Sequence, residues 1–324
     1  PDAEYLEASD VVHTFAVRSQ DVDGNVDLTP AVAQFKVEKS FAPTLSVALT
    51  SAQARANPEM TLTIENASHT DIKDLHLNMP DGFFGGLTGV QSLCPVANAD
   101  NGTCAAGSQV GTVDTVAVID RSTAYITGKV FLTEPRIEGI GEPAGLTIDV
   151  EPKLQGVEFK PIRINARLSV RGEAQGLNTA TLDIPNSAET TENEVSEFDL
   201  RKMVIKLENN PAASHPLLVN PSRCGQGNFD ATFTPKVAGP DTTATQGVSF
   251  TGCGALSFGP QMQMKFSDHT TGLPPKAFTP KDPVSADLET TVTADPNGSG
   301  IRNTTIIMPK GLTINPAKVP FTCV

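Results

Sequence analysis

The sequence predicts an all-β protein built of small sandwich domains, with short loops and little helix. Three observations carry this reading. Polar and apolar residues alternate with period two through residues 13–18, 33–37, 162–168 and 203–207, as half-buried strands require. Glycine (26) and proline (25) fill about one position in six of the 324, against a usual share nearer one in eight, and they cluster at turns such as Asp81-Gly82, Asn101-Gly102 and Asn297-Gly298. The one stretch with a helical look, residues 187–197, is acidic and has no apolar stripe, so it reads as a loop or one short turn.

Composition narrows the function classes. With 24 basic and 37 acidic residues the net charge is −13, which repels phosphate backbones and anionic lipid heads. Nucleic acid and membrane surfaces are therefore not expected partners, and no apolar run approaches the roughly 18 residues of a membrane helix. Phenylalanine (15) is the main aromatic, with 2 tyrosines and no tryptophan, so a sugar cleft lined by stacking rings is not expected.

Taken in chain order, residues 1–38 read as a hairpin that ends one sandwich. Two strands cannot be stable alone, so the following domain or a strand-donating neighbour must cover them. Within the hairpin, Asp21, Asp23, Asn25 and Asp27 alternate as calcium ligands do. An EF-hand would need Gly at the sixth position and Glu at the twelfth, where this chain has Val26 and Val32. A turn on Asp23-Gly24 accounts for the same residues, and no other cofactor is called for.

Residues 39–118 are expected to form a sandwich carrying a Cys94–Cys104 loop, and 119–255 a second one stapled by Cys224–Cys253. Pairing neighbours is the simplest of the three connectivities four cysteines allow, with buried free thiols as the alternative. The loops would contribute about 2.5–3 and about 3.5 kcal/mol, and disulfides imply an oxidising, extracellular compartment.

Residues 256–324 read as a truncated second copy of 39–118. One offset carries the Ile72 to Gly82 stretch onto Ile301 to Gly311, with Met79-Pro80 on Met308-Pro309, and also Cys94 onto Cys323. Upstream, Met60, Leu62 and Ile64 fall one residue out of step with Leu288, Thr290 and Val292, so an insertion separates the blocks. Cys323 is then expected to be unpaired here and to pair with a downstream cysteine in a longer parent. Both termini read as cuts through a larger protein.

Catalytic signatures are missing. Gly139-Ile140-Gly141-Glu142-Pro143-Ala144 fits GxGxxA, but Pro143 and Gly145 bar the helix that would hold a pyrophosphate. Ser108 lacks the G-x-S-x-G context, and the five histidines show no metal or triad spacing. The chain is not expected to be an enzyme. Asn66, Asn101, Asn297 and Asn303 begin glycosylation-type tripeptides, read as coincidences of a Thr- and Asn-rich surface.

Two stretches resemble known modules. His13-Thr14-Phe15-Ala16-Val17-Arg18, then Asp21 to Asp27 and Thr29-Pro30-Ala31, resemble the last two strands of bacterial Ig-like domains, with Asp23 where a small apolar residue is usual. Met79-Pro80-Asp81-Gly82, Cys94 to Cys104, Ser108 to Thr112, Ile126 to Leu132, Asn220-Pro221-Ser222-Arg223-Cys224 and Cys253 to Pro260 resemble a module that follows such domains in tandem-repeat bacterial surface proteins. The resemblance implies secreted tandem repeats without assigned catalysis. The expected role is a structural stalk or self-assembling filament whose partners are copies of itself. The other reading is an adhesin gripping a glycan or matrix protein through residues 139–145 or 187–197.

Overall fold

The computed structural model describes residues 12–36, 40–68, 70–119, 122–136, 142–171, 176–181, 184, 187–192, 194–209, 213, 215–268, 271, 286–295, 298–301 and 303–308. The protein is all-β, and residues 1–251 and 252–324 form two compact units. No helix among the described residues is long and apolar enough to cross a membrane.

The first unit opens with β1 (Val12–Val17) and β2 (Ala31–Lys36), which pair antiparallel as a sheet of their own. Then follow β3 (Thr44–Leu49), β4 (Met60–Glu65), β5 (Ile72–Asn78), β6 (Phe84–Gly85), the short helix α1 (Val96–Asn101), β7 (Gln109–Ile119), β8 (Ser122–Thr133) and β9 (Ala144–Val150). After the small hairpin of β10 (Lys153–Leu154) and β11 (Val157–Glu158) come β12 (Ile162–Arg171), β13 (Gly176–Thr181), β14 (Ser187–Glu189), β15 (Val195–Leu207), β16 (Leu218–Val219), β17 (Gly225–Pro235) and β18 (Thr242–Phe250). The four stretches singled out by their alternation fall on β1, β2, β12 and β15, with Arg18 just past β1 and residue 37 outside the described residues. Of residues 187–197, expected as a loop or short turn, 187–189 instead pair as β14 with 195–197 at the start of β15, Ala188 opposite Ser196, and 191–192 form a turn. An acidic strand with one face to solvent carries too weak an apolar period to announce itself.

One twelve-stranded sheet runs β18-β17-β5-β13-β12-β9-β8-β7-β15-β4-β3, with β14 on the far end of β15. Its two ends meet. Just beyond β3, the Ala54 N–H donates to the Thr251 carbonyl (2.8 Å), and the Thr251 N–H donates to the Ala52 carbonyl (3.0 Å). Fully buried Asn220 secures the seam, its side-chain amide donating to the carbonyls of Ser51 (2.9 Å) and Gln53 (2.8 Å). Long strands must bend to curl this far, and β15 does so at a bulge between Leu200 and Lys202. Gly111 lets β7 follow it, because a Cβ there would stand 1.9 Å from the Lys206 carbonyl oxygen.

The inward faces merge into one core. It includes Leu62 and Ile64 of β4, Leu77 of β5, Val113 and Ala117 of β7, Ile148 of β9, Ile164 of β12 and Phe233 of β17. Phe83 and Phe229, both fully buried, meet edge to face with ring centroids 5.5 Å apart. Separate sandwiches over 39–118 and 119–255 are therefore not what forms. Strands from the earlier segment alternate in the sheet with strands from the later one: β5 lies between β17 and β13, and β7 between β8 and β15. The reason is that alternation fixes which side chains face inward but not which strand lies alongside. The apparent boundary is the tight connection of the β7–β8 hairpin.

The second unit holds β19 (Gln261–Asp268) paired antiparallel with β20 (Ala286–Thr293). Its Ser257 accepts a hydrogen bond from the Ser299 N–H (2.8 Å) and donates its hydroxyl to Asp295 (2.9 Å). Residues 303–308 are described but form no strand.

Candidate functional site

The residues that stand out are apolar ones left in solvent. In β1–β2 the register places Phe15 opposite Ala33 and Val17 opposite Ala31, so these four share one face. Phe15 is 59% exposed and Val17 52%. On the second hairpin, Met262, Met264 and Phe266 lie opposite Val292, Thr290 and Leu288. Met262 is 54% exposed, and Phe258, just before the strand, 63%. The β1–β2 face is exposed, whereas Met264, Phe266, Leu288 and Val292 are half-buried, and among the described residues neither face is closed over as a core face would be.

The second hairpin has a buried counterpart. In β3–β4, Leu45, Val47 and Leu49 lie opposite Ile64, Leu62 and Met60, the same arrangement pair for pair. Both hairpins open on Ser-Phe-x-Pro, at Ser40-Phe41-Ala42-Pro43 and Ser257-Phe258-Gly259-Pro260. Sequence reading missed this tetrapeptide because the connection after β19 is longer than that after β3. The first strand of each hairpin therefore falls outside the offset that aligns the later blocks. The one-residue slip between β4 and β20 is accommodated in the same way, since Met60, Leu62 and Ile64 face inward and Leu288, Thr290 and Val292 form the matching face.

The calcium reading of Asp21, Asp23, Asn25 and Asp27 gives way to the turn. Asp21 accepts hydrogen bonds from the backbone N–H groups of Asp23 (3.0 Å) and Asn25 (2.8 Å), and from the Asn25 side chain (2.8 Å). Gly24 supplies the positive φ of 89° that the turn needs. Asp27 accepts from the backbone and hydroxyl of Thr29. Both carboxyls are held below the usual value, Asp21 chiefly by the Asn25 side chain and Asp27 chiefly by the Thr29 backbone. Their oxygens thus answer to the loop's own donors. Among the described residues no group of three or more His, Cys, Asp or Glu is placed to hold a metal ion.

Cys94 and Cys104 form a disulfide with Cα atoms 5.4 Å apart, and Cys224 and Cys253 are each disulfide-bonded. Cys323 lies outside the described residues. The Cys94–Cys104 loop packs against β8, and a Cβ on its Gly102 would meet the Arg163 side chain of β12. Cys94 bridges backbone to backbone with Leu132 and Glu134. Arg136 donates to Asp100 in α1 (2.9 Å), to Asn165 (2.6 Å) and to Thr147 (3.3 Å). Beside them Arg163 pairs with Asp149 (3.2 Å), whose carboxyl burial pushes up against the opposing pull of that arginine. This is a clamp of mutually paired charges.

A second ionic cluster lies where β5 begins. Asp71 is pushed up to about 6, by burial first and then by the charges of Asp199 and Glu197. Asp199 is bound by Arg201, which also donates to the Ser68 carbonyl (2.6 Å). Asn66, first residue of a glycosylation-type tripeptide, is buried here and donates to the Thr70 carbonyl (2.9 Å). No sugar could reach it. Asn101 and Asn303 are exposed, and Asn297 lies outside the described residues.

Of the two loops expected to carry adhesion, 187–197 is largely strand. In the other, residues 139–141 lie outside the described residues, and Glu142 is buried, accepting from the Arg136 N–H (3.0 Å). Comparisons with protein-family models, curated proteins and solved structures find no match to this chain.

Proposed function

We propose that this chain is a non-catalytic structural module of an extracellular tandem-repeat protein, one that extends a surface stalk or filament. Its units join by covering the exposed faces of the β1–β2 and β19–β20 hairpins, through strand donation between copies. The observation that supports this most is the pairwise match between β3–β4, which is buried in a completed sheet, and β19–β20, which is not. A hairpin carrying a core-type face gains little stability until another strand or sheet covers it. The disulfides fit an oxidising compartment, and the acidic surface keeps uncovered units soluble.

The test is sedimentation of the intact chain from micromolar to submillimolar concentration, with negative-stain microscopy of the concentrated sample. The reading predicts reversible association into elongated particles. It also predicts weaker association in a Phe15→Ser, Met262→Ser double variant. A monomer throughout, with no difference between the two proteins, would count against it.

A further inference from the structure

We propose that the first unit contains a binding pocket for a small uncharged apolar group, an alkyl or aryl moiety of about six carbons. A cavity of about 110 Å³ lies between the β6–β16 pair and one end of the large sheet. The antiparallel order brings the start of β7, the end of β8, the start of β9 and the ends of β12 and β15 to that end together. Leu146, Leu168, Val170, Leu207, Leu217 and Leu218 supply most of the wall. Gly85 and Gly86 add bare backbone, and Thr179 adds a single hydroxyl.

The size and chemistry of the wall select the occupant. An apolar void gives water too few partners and stays dry, and an engineered cavity of roughly 150 Å³ with such a lining takes up benzene. The pocket here is somewhat smaller and none of the described residues in its wall is ionisable, so a charged ligand would lose its hydration without compensation. Access is built in. Leu87 and Val170 belong to the wall and are also 44% and 49% exposed, so the apolar surface continues outward to a mouth. A packed core would have closed over such a gap, since each missing contact costs stability. The pocket lies wholly within residues 79–218 and does not depend on the stalk reading.

The experiment uses the intact chain with labelled Leu and Val methyls, titrated with benzene and, separately, with 1-hexanol. The expected result is a saturable shift of the Leu146, Leu168, Leu217 and Leu218 methyls, with Leu45 and Leu62 unmoved. Leu168→Phe, which fills the space, should abolish the shift. Leu87→Asp, which charges the mouth at an exposed position, should weaken binding at least tenfold, and it carries the comparison if the first variant does not fold. Three results would overturn the proposal. The shifts could be linear in ligand, or spread equally over Leu45, Leu62 and the exposed Val17, or the pocket methyls could move only with protein concentration. The last would mean that a side chain from another copy fills the space.

Discussion

In β3–β4 the cross-strand pairs are Leu45–Ile64, Val47–Leu62 and Leu49–Met60; in β19–β20 they are Met262–Val292, Met264–Thr290 and Phe266–Leu288. The first set is almost wholly buried, because β15 flanks β4 and the sheet curls until β18 reaches the end of β3. The second set is half open. The contrast continues downstream. Residues 72–78 form β5, held between β13 and β17, whereas the described residues among their matches, 301 and 303–307, form no strand, and Ile307 is 87% exposed. Alternation makes a hairpin and chooses its inward face. Burial comes from partners that lie a hundred or more residues away in sequence, and a fully buried apolar side chain contributes about 1.5–3 kcal/mol only once they arrive.

The largest expected effect separates equivalent positions. Met60→Ala should cost the first unit about 2–5 kcal/mol, read from denaturant unfolding. Leu288→Ala, its counterpart, should leave that transition within about 0.5 kcal/mol. Equal losses would end the comparison.

How far the sequence made this legible follows from the same contrast. The strands at 162–168 and 203–207 were readable because alternation is local. The Cys94–Cys104 bond was readable because its loop is short. The interleaving of β5 and β7 among later strands was not, since no local pattern encodes a neighbour across the sheet. The acidic β14 was lost for want of an apolar period. Spacing cannot say whether a carboxylate faces a metal or its own turn; the turn on Asp23-Gly24 was already legible, and the Asp21 carboxylate accepts from that turn's own donors. The hairpin match was present as Ser-Phe-x-Pro but was masked by loops of unequal length.

A smaller effect tests why β3 is held and β19 is not. Asn220→Ala removes the amide that bonds the Ser51 and Gln53 carbonyls, and should cost about 1–3 kcal/mol. Amide exchange should quicken around residues 51–56 while β19–β20 is unaffected. If exchange changes equally in both hairpins, the seam does not explain the difference.

The smallest effect depends on pH. Asp71 precedes β5, and its counterpart under the repeat offset is Gly300, which is exposed. Burial raises the Asp71 carboxyl to about 6 from an ordinary 3.8, so the folded state holds the proton more tightly than the unfolded state. That contribution is complete below about pH 4 and is lost as pH rises through about 6. Asp71→Asn should therefore raise the melting temperature at pH 7.5 and leave it unchanged at pH 3.5. A variant destabilised at pH 7.5 would show that the ionised carboxylate is favoured where it sits.

The most direct measurement is residue-resolved amide hydrogen exchange on the intact chain, run dilute and then concentrated. The account predicts that β3–β4 exchanges only with global unfolding at both concentrations. It predicts that β19–β20 exchanges orders of magnitude faster when dilute and slows on concentration as copies cover it. Equal, concentration-independent protection of the two hairpins would contradict it.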